Sequence, residues 1–175
     1  MDVKKTHLSW ADVEDHTTTI IKKMTALGWM PTVVVGLTRG GLLPATMISH
    51  YLNVDMCSLD VSLRDNHFSG GPTSTWIPEE INNGHRILVV DDINDTGATF
   101  EWIRNDWMGT VQGMEPTGND WPWNQIKFAA LVHNIPSSHP TDFRAIDINK
   151  DVDQQWICFP WETWYGKKPL DNQKA

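Results

Sequence analysis

Apolar positions along the chain follow two different rhythms. From Trp10 to Leu27 they recur every three or four residues, with Trp10, Val13, Thr17, Ile20, Ile21, Met24 and Leu27 on one stripe, the spacing of an amphipathic helix. Ser9-Trp10-Ala11-Asp12 reads as the capping box that opens this helix, and Gly28 stops it. Elsewhere the apolar residues come as short unbroken runs: Thr32 to Leu37 (T-V-V-V-G-L), Ile87 to Val90, Ile126 to Val132 and Phe143 to Ile148, with a looser alternation from Leu52 to Val61. Runs of β-branched residues and leucine without alternation predict strands covered on both faces, hence members of a parallel sheet. Helices are expected between them at Leu42 to Leu52 and Phe100 to Met108. The pattern predicts an α/β fold: a twisted, mostly parallel sheet of about five strands flanked by helices on both faces. Two stretches carry no period. Ser62 to Pro78 is rich in turn formers and has the composition of a long mobile loop, and Gly109 to Asn124 is a Gly/Pro/Trp-rich insertion.

Bulk composition narrows the reading without deciding it. A chain of 175 residues predicts one domain with a sizeable core. The formal charge of −8 argues against nonspecific binding to nucleic acid or to anionic membranes, which needs a basic field. An anionic substrate would need local help from backbone N–H groups, magnesium and placed arginines such as Arg39 and Arg64. Two cysteines, Cys57 and Cys158, are too few for a disulfide framework and form no C-x-x-C pair. No stretch approaches eighteen apolar residues, and no apolar segment follows the N-terminal lysines. A cytoplasmic protein with no membrane integration is therefore expected. Asn94-Asp95-Thr96 matches a glycosylation sequon, which in that setting is read as chance.

Candidate chemistry is concentrated in Arg86 to Phe100, R-I-L-V-V-D-D-I-N-D-T-G-A-T-F. An apolar strand here delivers Asp91, Asp92 and Asp95 to its carboxyl end, where ligands collect in open α/β sheets. Thr96-Gly97-Ala98-Thr99 then offers two hydroxyls and sparsely covered N–H groups at the start of a helix, the makings of an anion cradle. Carboxylates beside an anion cradle suit a ligand with both phosphate and vicinal hydroxyls, bridged by a divalent cation. A calcium loop counted from Asp92 fails, because its twelfth position is Ile103. Thr38-Arg39-Gly40-Gly41, after the first core strand, is either a plain glycine turn or a second anion site. The P-loop spacing from Gly36 fails, since Leu42 and Leu43 stand where Lys and Ser/Thr belong.

The acidic strand and its D-T-G-A-T sequel resemble the phosphoribosyl-pyrophosphate signature of type I phosphoribosyltransferases, and Thr38-Arg39-Gly40-Gly41 is similar to that family's pyrophosphate loop. The opening L-S-W-A-D-V-E-D-H and the closing Q-W-I-C-F-P-W-E extend the likeness, from about Leu8 to Trp161 with the insertion excepted, toward the xanthine-guanine branch. The resemblance implies one domain over residues 1–175, with a flexible loop at 62–78 that closes over the reaction, an insertion at 109–124, and a small C-terminal hood and tail at 149–175. It implies phosphoribosyl pyrophosphate and a 6-oxopurine base (guanine, xanthine or hypoxanthine) as partners, Mg2+ as cofactor, and a homo-oligomer, dimer or tetramer. Carried over residue by residue, Asp91 and Asp92 would hold magnesium and the ribose hydroxyls. Thr38, Gly40, Gly41, Thr96, Gly97, Ala98 and Thr99 would line the phosphate sites. Arg39 would stabilise departing pyrophosphate, and Asp95 would act on the purine as base or acceptor. Trp156 would stack on the ring and the Ile157 backbone would read its edge. In the family a lysine at a strand end donates to the purine oxo group; His133 is taken as its counterpart here. Gly-Ala replaces the family's Gly-Gly at positions 97 and 98. The resemblance also implies a cis peptide between Thr38 and Arg39. A non-enzymatic regulator sensing phosphoribosyl pyrophosphate is the alternative, and a Rossmann module is disfavoured by the missing G-x-G-x-x-G.

Overall fold

A computed structural model describes residues 3–61, 83–112 and 123–164. The expected loop at 62–78 with Arg64, most of the insertion including Trp121, and the tail after Trp164 lie outside them. Strand β1 (Lys4–His7) leads into helix α1 (Trp10–Leu27), followed by β2 (Val33–Leu37), α2 (Leu42–Leu52), β3 (Asp55–Leu59) and β4 (Ile87–Asn94). After these come α3 (Ala98–Gln112), a single 3₁₀ turn (Trp123–Gln125), β5 (Ile126–Asn134), β6 (Phe143–Ile148), β7 (Gln155–Cys158) and the short α4 (Pro160–Thr163).

Local chemistry explains the helix ends. Ser9 caps α1 by accepting the Asp12 N–H at 3.1 Å while the Asp12 carboxylate accepts the Ser9 N–H at 2.7 Å. Such a cap contributes about 1 kcal/mol. Gly28, at φ 67°, ends α1 in the left-handed conformation and sends its N–H back to the last turn. Val13, Thr17, Ile20, Ile21 and Met24 of the expected stripe are buried, whereas Trp10 and Leu27 at its ends are exposed.

Five strands form one sheet in the order β3-β2-β4-β5-β6, and every pairing is parallel. Side chains alternate across it. Val34, Leu88, Val90, Ala129 and Leu131 pack with α1 and α2 on one face, and Val33, Val35, Leu37, Ile87, Val89 and Phe128 pack with α3 residues Phe100, Ile103 and Trp107 on the other. With both faces covered, the strands need no polar alternation, which is why they read as unbroken runs. Chain order reverses between β2 and β4: β2 is followed outward by β3, and the chain then crosses back to place β4 on the opposite side of β2. The loops after β2 and β4 therefore leave a crevice at the carboxyl edge, the place where open α/β sheets bind ligands.

Three boundaries differ from expectation. Strand β4 runs through Asn94 rather than stopping at Val90, because Asp91, Ile93 and Asn94 stay paired with β5. Helix α3 continues through Gln112, four residues into the expected insertion. The hood is not purely C-terminal: β7 pairs in parallel with β1, from Lys4 opposite Gln155 to His7 opposite Cys158, in a separate two-stranded sheet. Among the described residues no helix is long and apolar enough to cross a membrane.

Candidate active site

The crevice is built from two loops pressed against each other. Thr38 is fixed by its N–H to the Leu59 carbonyl at 2.9 Å and its hydroxyl to Asp60 Oδ1 at 2.7 Å. The peptide from Thr38 to Arg39 is cis, as the resemblance implied. Arg39 is exposed. Gly40 and Gly41 follow where no larger residue fits: a Cβ on Gly40 would stand 1.8 Å from Asp92 Oδ2, and one on Gly41 would stand 2.2 Å from the Val90 carbonyl oxygen. The pyrophosphate-type loop and the acidic strand are thus in van der Waals contact, and the acids Asp91 and Asp92 lie beside it. Each acid also caps the strand edge. Asp91 Oδ1 accepts the Asp92 N–H at 2.9 Å, and Asp92 Oδ1 accepts the Ile93 N–H at 2.8 Å.

The second loop, Asp95 to Thr99, is braced from behind by the turn between β5 and β6. Ser138 donates both its N–H (2.9 Å) and its hydroxyl (3.0 Å) to the Thr96 carbonyl. Gly97 has φ +90°, and a Cβ there would meet the His139 nitrogen at 2.4 Å, so conformation and space both require glycine. Thr96 Oγ1 accepts the Ala98 N–H at 3.3 Å, and Ala98 opens α3. A fifteen-residue helix thus presents its N-terminus to the crevice, with Thr96 and Ala98 exposed and Thr99 half-buried, an arrangement suited to a phosphate.

Asp95 stands at the centre of a polar cluster. Lys150 Nζ lies 2.7 Å from its Oδ2, in a pair whose side chains are only 19% and 27% exposed. Asn134, the last residue of β5, donates its amide to the Asp95 carbonyl at 3.1 Å and to Asp95 Oδ1 at 3.3 Å. Asn134 Oδ1 in turn accepts the Lys150 N–H at 3.0 Å. The same ammonium sits 6.0 Å from the ring centroid of Trp156, the outer limit of cation–π range. Trp156 is 46% exposed on β7, while its neighbour Ile157 is buried in the core. An aromatic face, a cation and a carboxylate therefore converge beside the phosphate loops.

A family model described as a phosphoribosyl transferase domain matches residues 3–165. The chain belongs to the phosphoribosyltransferase family. It is 28% identical to a xanthine-guanine phosphoribosyltransferase of Cereibacter sphaeroides over 165 residues, 89% of this chain and 86% of that protein. Among solved structures it is similar to a purine phosphoribosyltransferase from Pyrococcus horikoshii, with TM-score 0.63 and 23% identity, over 97% of this chain and 99% of that one. A xanthine-guanine-hypoxanthine phosphoribosyltransferase from Helicobacter pylori gives TM-score 0.61 at 17% identity, over 92% and 95% of the two chains. These likenesses establish the type I phosphoribosyltransferase fold.

Within this phosphoribosyltransferase the Thr38–Gly41 loop lies against Asp92, and Asp95 pairs with Lys150 near Trp156, whereas His133 turns to Asn94. The histidine is 7% exposed, and its Nδ1 lies 3.1 Å from Asn94 Nδ2. That amide also donates to the His139 carbonyl at 2.7 Å, and Asn94 Oδ1 accepts the Ser137 hydroxyl at 3.2 Å, so Nδ1 of His133 is the acceptor and the proton resides on Nε2. Burial first, then the charge of Arg144, pushes the His133 pKa down and keeps the ring neutral. The cation beside Asp95 is Lys150 instead. Sequence reasoning named neither Lys150 nor Asn134: one lies in a turn, the other ends an apolar run, and no local spacing ties them to Asp95. Among the described residues no group of three or more His, Cys, Asp or Glu side chains could cage a metal. Two adjacent carboxylates against a glycine loop still fit magnesium, which is held by one or two carboxylates and completes its shell with substrate phosphates and water.

Proposed function

We propose that this phosphoribosyltransferase moves ribose 5-phosphate from phosphoribosyl pyrophosphate to a 6-oxopurine, giving a nucleoside monophosphate and pyrophosphate in cytoplasmic purine salvage. The observation that carries the reading is the ion pair of Lys150 with Asp95 at the edge of Trp156, next to two phosphate loops. Trp156 offers a flat apolar surface for a heterocycle. Lys150 carries three donors and no acceptor, so it matches an oxo group and opposes an exocyclic amine, which would leave a donor facing a donor. The names of the similar proteins from Cereibacter sphaeroides and Helicobacter pylori point to the same bases.

In the reaction the bond from ribose C1 to the pyrophosphate oxygen breaks, its electron pair leaving with pyrophosphate, and a purine nitrogen forms the new bond to C1. Positive charge grows on the sugar while negative charge grows on the leaving group. The exposed Arg39 and the N–H groups of Gly40 and Gly41 oppose the second charge. Asp91 and Asp92 would hold Mg2+, which supplies Lewis-acid neutralisation of the pyrophosphate when bound. The N-terminus of α3 with Thr96 to Thr99 receives the 5-phosphate. Asp95 takes the proton that the purine nitrogen sheds. A carboxylate has about four lone-pair positions, and Asn134 and Lys150 use two of them, so about two remain for the base.

The test is a panel of guanine, xanthine, hypoxanthine and adenine with phosphoribosyl pyrophosphate and magnesium, scored for monophosphate and released pyrophosphate. Product is expected with at least one oxopurine and not with adenine. Turnover of adenine alone would overturn the base assignment. Binding of phosphoribosyl pyrophosphate with transfer to no base would favour a sensor.

A further inference from the structure

The side-chain amide of Asn134 directs three hydrogen bonds toward one pair of residues. Its NH2 grips Asp95 at both the carbonyl (3.1 Å) and Oδ1 (3.3 Å), and its oxygen takes the N–H of Lys150 (3.0 Å), while Lys150 closes the ring onto Asp95 Oδ2 (2.7 Å). The three residues come from three places: the carboxyl end of β4, the carboxyl end of β5, and the turn that joins β6 to β7. Asp95 and Lys150 are 55 positions apart, and among the described residues their own ion pair and the amide of Asn134 join them. An ion pair alone fixes distance and little else, because an ammonium rotates freely on a four-carbon stem. A planar amide with a donor on one partner and an acceptor on the other fixes orientation. Asn134 is also anchored by the sheet: it is the terminal paired residue of β5, held in register opposite Ile148 of β6 two positions before Lys150.

We propose that Asn134 is a positioning residue for the transfer reaction, holding Asp95 and the Lys150 turn in one rigid unit so that the carboxylate and the ammonium meet the base together. This rests on the reaction read above. The amide keeps one carboxylate oxygen and the ammonium at a constant spacing beside Trp156, so that a purine whose oxo group contacts Lys150 has its reacting nitrogen aligned with Asp95. Loosening the amide lets the two groups wander separately. Misplacement on the order of 1 Å costs about 10²-fold in rate where alignment carries the catalysis.

The decisive variant is Asn134→Asp, nearly isosteric, which keeps an acceptor for the Lys150 N–H and replaces the donor to Asp95 by a second carboxylate, turning the grip into a repulsion. Steady-state kinetics with the best base should show kcat lower by about 10- to 100-fold and KM for phosphoribosyl pyrophosphate within about twofold of wild type, alongside the lowered melting temperature that a second buried carboxylate brings. Lys150→Met should raise KM for the base, and in that background Asn134→Asp should cost much less than it does alone, because the two changes disable one unit. Equal losses in both backgrounds would overturn the coupling. A fall in melting temperature with both KM values rising together would show Asn134 as a turn support only and overturn the proposal. Wild-type kinetics in Asn134→Asp would overturn the positioning role while leaving the enzyme reading intact. A wild-type protein that transfers to no base would overturn the enzyme reading, and this role with it.

Discussion

Replacing Gly40 with alanine tests the interlock of the two loops, because the new methyl must push the Asp92 carboxylate aside. Its Cβ would stand 1.8 Å from Asp92 Oδ2 and 2.3 Å from Asp92 Cγ, whereas such contacts stay beyond 3.0 Å. Loop and carboxylate must separate by about 1.2 Å or more, the gap between those two distances. Neither side gives easily. Asp92 Oδ1 holds the Ile93 N–H at 2.8 Å, and the loop is tied through Thr38 to Leu59 and Asp60 on one flank and by Gly41 against Val90 on the other. The displacement falls on the groups proposed to hold magnesium and pyrophosphate, so by the alignment argument kcat/KM for phosphoribosyl pyrophosphate should drop by about 10²-fold or more. Stability should change far less, since Gly40 is only half-buried and contributes no side chain to the core. Calorimetric titration with phosphoribosyl pyrophosphate and magnesium, beside a steady-state assay and a thermal melt, separates these terms. Wild-type affinity and turnover in Gly40→Ala would refute the interlock as a working part of the site.

Asp95→Asn should slow turnover by about 10²–10⁴-fold, the usual worth of a general acid–base group, with phosphoribosyl-pyrophosphate binding nearly unchanged by titration; wild-type turnover would remove Asp95 from the chemistry. Trp156→Ala should weaken base affinity by about 1–3 kcal/mol and spare stability, because the ring is half exposed rather than core; a large loss of melting temperature would mean the ring is a packing element. Burial depresses the pKa values of His16, His133 and His139, so between each folded value and the unfolded value of about 6.5 the unfolded chain binds more protons. Stability should therefore be full above about pH 6.5 and fall as the pH drops below it, and urea melts of His139→Gln should show a flatter pH slope than wild type.

The core strands and helix α1 were legible because their signals are local and redundant. Val33 to Val35 and Ile87 to Val90 are apolar on both faces of a covered sheet, and Ser9, Asp12 and Gly28 mark α1 with chemistry confined to a few residues. The tight packing of the two glycine loops was legible for the same reason, since glycine at 40, 41 and 97 records close approach in the sequence itself. Strand β1 was not legible: Lys4-Lys5-Thr6-His7 has neither alternation nor β-branched density, and it is a strand only because β7 supplies a partner. The end of β4 was misread as a turn because acids and asparagine are depleted in strands, yet here they border the crevice while the backbone stays paired to β5. Lys150 and Asn134 were missed because what defines them is a contact between distant residues. His133 was taken as the counterpart of the family's strand-end lysine, and it stands one position before the side chain that reaches Asp95. Alternation decides the matter, as His133 turns to Asn94 and Asn134 turns to Asp95.

The pairing of β1 with β7 gives residues 4–7 a hold on the strand that carries Trp156. Lys4 meets Asp153 at 2.6 Å and Thr6 meets Gln155 at 2.7 Å, each across 149 positions, and Lys5 lies in register opposite Trp156. None of these contacts belongs to the five-stranded sheet, which is built from β2 to β6 alone. Substitutions at Lys4 to His7 are therefore expected to reach Trp156 through β7 while leaving that sheet and the loops after β2 and β4 in place.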